Sequence, residues 1–149
     1  MTLKERITSD THDAMRARAA ARLSTLRLLQ AAIKQREVDE RRELADADVI
    51  AVIERMLKQR RDSIAQFTTG RRIDLADAER AEISVLEVYL PQQMSGAEID
   101  AAIDTALEAA GGATGPAAMG KVMATLKPAL AGRADMAAVA ARVRIRLAG

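Results

Sequence analysis

The sequence predicts an all-α fold in two parts: a four-helix hairpin-type domain over residues 1–90 and a small three-helix tail domain over residues 91–149. Apolar residues recur every three or four positions along most of the chain, which is the period of an amphipathic helix. No stretch alternates apolar and polar residues between turn signals, so we expect essentially no strand. Phe67 and Tyr89 are the only aromatic residues. A core of Leu, Ile, Val, Met and Ala therefore favours closely packed helices over a sheet.

Four helices are expected in the first part. Their ranges are about 2–18, 20–40, 46–69 and 74–90. Asp46 is suited to cap the third helix, and Asp74 opens the fourth. Two long helices joined by a short polar loop form an antiparallel hairpin, so we expect the first and fourth helices to pack on its sides.

The stretch from Tyr89 to Met94 separates the two parts. Pro91 has no backbone N–H and its ring clashes with the preceding turn, so a helix that arrives at Leu90 is expected to stop there. We interpret Tyr89 and Pro91 as a hinge, with Tyr89 anchoring the two parts against each other.

Three shorter helices are expected in the tail. Ser95 and Glu98 have the spacing of a capping box for a fifth helix, which ends at Gly111 and Gly112. Pro116 suits the first turn of a sixth helix, and Pro128 is expected to bend or break it after about Leu126. The seventh helix covers about 135–147, with its first residue as the cap.

Composition excludes several classes of site. The chain has no cysteine, and His12 is its only histidine. A disulfide framework, a thiolate site, a Ser-His-Asp triad and a two-histidine metal site are therefore excluded, and we expect no catalytic residue, metal or cofactor. No apolar run approaches the roughly 20 residues of a membrane span. The first residues enter directly into an amphipathic pattern, so we expect a cytoplasmic location and no membrane partner.

The sixth helix carries the most informative surface. One face is apolar and belongs to the core, whereas Ala117, Gly120, Ala124 and Ala131 form a stripe of small residues with Lys121 and Lys127 on its margins. Such a stripe lets a partner's backbone approach while the ammonium groups meet phosphates. Another helix of the same bundle packing on the stripe is an equally open interpretation.

Further cations follow in the tail. They are Arg133, Arg142, Arg144 and Arg146, opposed after residue 110 only by Asp135. Of these, Arg133, Arg142 and Arg146 join Gly120, Lys121 and Lys127 as candidate RNA contacts. Solvated cations are also the ordinary state of a helix surface, so the charge pattern alone leaves both interpretations open.

Two other groups are weaker candidates. Glu79 and Glu82 have the spacing of a carboxylate pair, but two solvated acids near Arg80 explain them better. The basic residues of 58–61 and 71–72 lie around the end of the third helix. Basic residues at this end of a helix complement the helix dipole and can pair with nearby acids, so we favour this structural interpretation over RNA binding.

Several short motifs together resemble the YqeY family, also called GatB/YqeY domain proteins. They lie in the family's order at 26–34, 58–64, 79–83, 89–91, 119–123 and 132–135. The resemblance implies an all-α protein of two parts. It is similar to the C-terminal helical and tail region of the B subunit of the aspartyl/glutamyl-tRNA amidotransferase, a region associated with holding tRNA. The Met-Gly-Lys-Val-Met motif falls on residues 119–123, while Ala124 and Ala131 replace a frequent glycine and a frequent basic residue.

Three hypotheses follow from the residues and the resemblance. The first is a tRNA-associated binding module without its own catalytic site, whose partner is tRNA or another structured RNA. The second, implied only by the resemblance, is an enzyme subunit with carbon–nitrogen ligase activity and glutamine as amide donor, acting with amidotransferase or translation proteins. The third is a helical protein-interaction module whose partner meets the projecting ends of the second and third helices.

Overall fold

The computed structural model describes residues 1–148, and these form seven α-helices and no strand. The helices are α1 Leu3–Arg16, α2 Ala20–Glu40, α3 Asp46–Thr69, α4 Ile73–Glu87, α5 Gly96–Ala109, α6 Gly115–Leu130 and α7 Met136–Ala148. The all-α prediction is confirmed. Contacts divide the chain into two compact units, an N-terminal unit Met1–Leu90 and a C-terminal unit that begins at Pro91. That these units are independent domains stays a prediction. Among the described helices, none combines the length and apolar composition needed to cross a membrane.

The core of the N-terminal unit is built on aliphatic side chains from all four helices. Its fully buried large residues are Ile7 of α1, Leu26 and Leu29 of α2, Val49, Ile53 and Leu57 of α3, and Leu86 of α4. Each such side chain contributes roughly 1.5–3 kcal/mol by leaving water. Because aliphatic side chains fill most of this core and Tyr89 is the only buried ring among the described residues, the helices approach closely and the polar edges of the unit determine where each helix starts and stops.

The loop between α2 and α3 is closed by a charged network. Arg42 donates from Nη1 and Nη2 to the two carboxylate oxygens of Asp48, at 2.8 and 3.1 Å, and the Ala45 N–H donates to Asp48 Oδ2 at 3.0 Å. The helix cap expected at Asp46 lies one residue earlier, because Ala45 is the N-cap and Asp46 is the first helical residue. Asp46 instead accepts the N–H of Leu3 at 3.0 Å, which joins the start of α1 to the start of α3.

Tyr89 belongs to the core of the N-terminal unit. Only 3% of the residue is exposed, and its hydroxyl donates to Asp10 Oδ2 at 2.6 Å. The Arg6 guanidinium lies 5.0 Å from the centre of the ring, within the range of a cation–π contact. The preceding helix, α4, ends at Glu87 rather than at Leu90, and a turn carries the chain to Pro91. Tyr89 thus joins α1 to the end of α4.

The C-terminal unit has its own aliphatic core. The fully buried residues are Ile103 and Ala106 of α5, Val122, Leu126 and Leu130 of α6, and Val139 and Val143 of α7. Pro128 was expected to bend or break the sixth helix; it does not break it, since α6 continues through it to Leu130. Pro128 lies in the last turn, where its missing N–H removes a single intrahelical bond, and the burial of Leu130 offsets that loss.

The Asp48 network predicts a pH-dependent stability of the N-terminal unit. Hydrogen bonds from Arg42, followed by the N–H of Ala45, lower the pKa of Asp48 from 3.8 to about 2. A carboxylate with a depressed pKa stabilises the fold above its unfolded pKa and loses that contribution as pH falls through the folded value. The wild type should therefore exceed Asp48→Asn in stability at neutral pH, and the gap should close between about pH 4 and pH 2.

Tyr89 fluorescence during denaturant unfolding measures this gap, since the chain has no tryptophan and no other tyrosine. Asp62→Asn is the matched control, because Asp62 is exposed and belongs to no ion pair formed within residues 1–148. A gap that stays constant down to pH 2 contradicts the role given to Asp48.

Replacing Tyr89 by Phe tests the anchoring of α1 on the end of α4. The ring still fills its place, but the hydrogen bond to a carboxylate is lost, so we expect a loss of about 1–2 kcal/mol. Amide hydrogen exchange should show faster opening of α1 and α4. In a double-mutant cycle with Asp10→Asn, strictly additive losses would show that the pair is not coupled.

Candidate nucleic-acid interface

The local sequence of α6 separates an apolar face from a bare one. Pro116 occupies the first turn, where its missing N–H costs nothing. Ala118, Val122 and Leu126 are buried at the helical spacing of four residues, so this face packs into the C-terminal unit. The opposite face is therefore held towards solvent by the burial of the first.

The stripe of small residues on α6 is uncovered. Its members Ala117, Gly120, Ala124 and Ala131 are all exposed. A Cβ built on Gly120 would meet no heavy atom within 4 Å. The sequence left two interpretations open, an exposed stripe and a stripe covered by another helix. Within the described residues no other helix covers it. A flat helical surface remains, on which an extended backbone meets no protruding side chain.

Lys121 and Lys127 edge this stripe and are exposed. Six residues separate them, which is about 9 Å along the helix axis. Neither ammonium group lies within 4.0 Å of a carboxylate belonging to the described residues. Two hydrated cations thus flank a smooth surface, and their full charge is available to an external anion.

The three candidate arginines are placed differently. Arg142 Nη1 lies 2.9 Å from Asp100 Oδ1 and also donates to the Gly96 carbonyl at 3.3 Å. Arg146 pairs with Asp104. The two arginines are four residues apart on α7 and the two aspartates four apart on α5, so they form two successive ion pairs between these helices.

Arg133 is also engaged. Its Nη2 lies 3.7 Å from Glu98 Oε2, and its Nε donates to the Gln92 carbonyl at 3.2 Å. The six predicted contact residues thus fall into two sets. Gly120, Lys121 and Lys127 form one open surface, whereas the three arginines serve the packing of their own unit. The acids of α5 that neutralise these arginines were visible in the sequence, but their pairing depends on how the helices fold together.

Arg144 was not among the predicted contacts. It is exposed, and no ion pair to a carboxylate of the described residues involves it. Together with Gly115, Pro116 and Met119 it lines a shallow depression of about 280 Å³ between α7 and the start of α6. One feature of the sequence could have singled out Arg144: it lies on the other side of the core face of the last helix from Arg142 and Arg146.

The predicted hinge residues lie between two tied segments. Tyr89 is fixed in the N-terminal core, as described above. On the other side of Pro91, the Met94 N–H donates to the Arg133 carbonyl at 2.8 Å, and Gln93 Nε2 donates to the Gly132 carbonyl at 2.9 Å. These bonds join the segment to the turn between α6 and α7. The hinge at Tyr89 and Pro91 stays a prediction.

The two weaker candidates, the carboxylate pair Glu79 and Glu82 and the basic residues near the end of α3, include residues that form ion pairs within the N-terminal unit. Glu82 Oε2 lies 3.2 Å from Arg60 Nε, and Arg80 pairs with Asp77 rather than with either glutamate. Burial, followed by the charge of Glu82, raises the pKa of Glu79. The sequence favoured two solvated acids; in the structure Glu82 instead links α4 to α3 through Arg60. Of the basic residues near the end of α3, Arg72 pairs with Asp74.

These features define a class of protein: an all-α chain whose C-terminal unit exposes a smooth, lysine-edged helix face. The chain belongs to the family described as Yqey-like protein, whose model matches residues 4–147. The resemblance stated from the short motifs is confirmed. Of the Met-Gly-Lys-Val-Met segment at 119–123, Gly120 and Lys121 lie on the exposed face of α6, whereas Val122 is buried and Met119 and Met123 pack against the core.

Fungal relatives share the name "Altered inheritance of mitochondria protein 41, mitochondrial". The protein of Pyrenophora tritici-repentis is 30% identical over 131 residues, which are 87% of this chain and 71% of the relative. The protein of Lachancea thermotolerans is 35% identical over 101 residues, 66% of this chain and 54% of the relative. That of Kluyveromyces lactis is 36% identical over 81 residues, 54% and 44% respectively. Their names describe those relatives as mitochondrial proteins, and this finding overturns the expectation of a cytoplasmic location.

The ion pairs between α5 and α7 predict a small, salt-sensitive contribution to stability. Arg142→Met keeps most of the aliphatic stem but loses the bonds to Asp100 and Gly96, so we expect the C-terminal unit to lose about 0.5–1 kcal/mol. The loss should shrink in high salt because the pair is partly exposed. Hydrogen exchange of α5 and α7 amides measures it. Arg144→Met, on the same helix but without an ion pair, should leave exchange unchanged; equal effects of both variants would contradict the assignment.

Proposed function

We propose that this protein is a binding module for structured RNA of the tRNA class, and that the exposed face of α6 is its contact surface. The observation that carries the proposal is the bare surface around Gly120, edged by Lys121 and Lys127. An RNA backbone needs close approach and cations without competing carboxylates, and this face offers both.

The composition of the C-terminal unit favours recognition of backbone and shape. Residues 91–149 contain no aromatic side chain, so stacking on unpaired bases has no platform there. Structured RNA is bound largely through phosphates and sugar hydroxyls along a helical surface. A helix face with small residues and two lysines suits that mode.

The arginines of α7 take a secondary part in this proposal. Arg142 and Arg146 have carboxylate partners on α5, but these pairs are partly exposed and therefore cost little to exchange. A phosphate brought in by α6 competes with Asp100 and Asp104 for them. Their contribution to affinity is expected to be smaller than that of the lysines, since each contact first breaks an existing pair.

The family supports the choice of RNA class. Its resemblance to the tail region of the tRNA amidotransferase B subunit points to tRNA, and a link to glutamine-dependent amidation would need partners that carry the chemistry. The relatives are named as mitochondrial proteins, so we propose tRNA of that compartment as the first RNA to test.

Binding of labelled tRNA, followed by fluorescence anisotropy across a salt series, tests the proposal. The wild type should bind with a strong salt dependence, because phosphate contacts release counterions. Lys121→Ala with Lys127→Ala should weaken binding roughly tenfold and lower the slope of log K against log salt by about 0.7–0.9 for each lysine.

The matched control removes two exposed cations elsewhere. Lys58→Ala with Arg61→Ala changes the net charge equally in the N-terminal unit and should leave the affinity within about twofold, since neither side chain belongs to the proposed contact surface. Absence of tRNA binding by the wild type at low salt would refute the proposal. Equal losses from both double variants would show binding to net charge rather than to α6.

A further inference from the structure

The outer face of α2 combines exposed apolar residues at helical spacing. Leu28 and Val38 are 48% and 59% exposed, although both are large aliphatic residues. With the exposed Ala31 and Gln35 they form a row spaced by three, four and three residues. That is the spacing of the contact positions of one helix packed lengthwise on another. The row extends over ten residues, about 15 Å, and is uncovered within the described chain.

A groove between α2 and α3 lies beside this row. Its volume is about 460 Å³, and its apolar floor includes Ala32, Val52 and Met56. Val52 and Met56 also belong to the core of the N-terminal unit, so the floor is fixed by core packing. The apolar strip available to a partner is thus wider than a single helix face.

Unpaired cations stand on both sides of the strip. Arg27 and Lys34 are seven residues apart on the far edge of α2, and Arg55 stands on the α3 wall of the groove. All three are exposed, and the ion pairs found in residues 1–148 include none of them. Spacing by seven residues keeps Arg27 and Lys34 on one edge of the helix.

The carboxylates near the groove are already engaged. Glu40 pairs with both Arg36 and Arg42, and these bonds, Arg36 first, lower its pKa. Asp39 accepts a hydrogen bond from Gln35 Nε2 at 2.9 Å. Asp39 keeps its charge in that bond because Gln35 is neutral, but the three unpaired cations outnumber it, so the net charge left for a partner on this surface is positive.

We infer that this surface docks an amphipathic helix of another protein, one with an apolar row and acidic flanks. The apolar row supplies burial, and the cations on its two sides select for glutamate or aspartate beside the partner's apolar positions. A nucleic acid would use the cations but gain nothing from Leu28, Val38 and Met56. A second copy of this chain fits poorly, because antiparallel pairing of two α2 faces sets Arg27 and Lys34 opposite like charges.

The inference is independent of the proposed RNA function. Every residue of the docking surface belongs to the N-terminal unit, whereas the proposed RNA contacts belong to the C-terminal unit. A protein partner and an RNA are therefore assigned to different surfaces, and each can be tested without the other.

The experiment uses the full chain and two synthetic three-heptad helical peptides with the same leucine row. One carries glutamate at the flanking positions and the other carries lysine. The acidic peptide should bind at low salt and shift the NMR signals of α2 and α3, while the basic peptide should not bind. Equal binding of both peptides, or shifts confined to other helices, would overturn the inference.

Substitutions separate the apolar and the charged contributions. Leu28→Ala should weaken binding of the acidic peptide about fivefold, since half of a leucine side chain becomes buried in the complex, and should leave unfolding unchanged. Lys34→Glu with Arg55→Glu should weaken it at least tenfold. Lys58→Glu with Arg61→Glu, which reverses two exposed cations of α3 outside the groove, should weaken binding far less, because neither side chain lines the groove. A loss as large as that of the Lys34 and Arg55 variant would show attraction by net charge alone.

Two further outcomes would reassign the surface. If tRNA affinity falls with Lys34→Glu and Arg55→Glu as strongly as peptide affinity does, the surface is a nucleic-acid contact and the inference fails. If sedimentation shows a dimer that Leu28→Glu dissociates, a second copy of the chain is the occupant and the inference likewise fails.

Discussion

The burial of short aliphatic side chains along α3 is the interaction on which the N-terminal unit depends. Val49, Ile53 and Leu57 are fully buried, and α3 contacts each of the other three helices of its unit. Because these side chains are aliphatic and compact compared with an aromatic ring, the helices pack closely and a shift in register would disturb many contacts. Register is therefore specified at the edges of the core by polar contacts. Arg42 with Asp48 closes one end of the hairpin, and Tyr89 with Asp10 fastens α1 to the end of α4.

Features decided by short stretches of sequence were predicted well. The bounds of α2 and the cap of α5 at Ser95 follow from helical periodicity and from a hydroxyl placed before the first turn. The apolar face of α6 was predicted equally well from helical periodicity. These features need only neighbours within one or two turns, so the sequence contains everything that determines them.

Features decided by distant residues were predicted poorly. Asp46 has the chemistry of a cap, but the N–H of Leu3 from another helix takes its carboxylate. Pro128 lacks a backbone N–H and would be expected to end a helix, but the burial of Leu130 stabilises the last turn and α6 continues to Leu130. The arginines of the candidate site have the chemistry of phosphate ligands, yet α5 supplies carboxylates to Arg142 and Arg146. In each case a tertiary partner decides the outcome, and a linear pattern does not contain that partner.

The two proposed surfaces both carry exposed cations, and they differ in the residues that border those cations. Lys121 and Lys127 border Gly120 and alanines, so this face has little apolar area to bury and gains from a partner mainly through charge. Such a surface suits a polyanion, whose binding energy comes from counterion release. Lys34 and Arg55 border Leu28 and a groove floored by core residues, where an apolar partner removes exposed hydrocarbon from water. That surface gains from burial first and uses charge to select its partner. Cationic side chains of the same kind thus suit a phosphate backbone on α6 and a protein helix on the surface of α2 and α3.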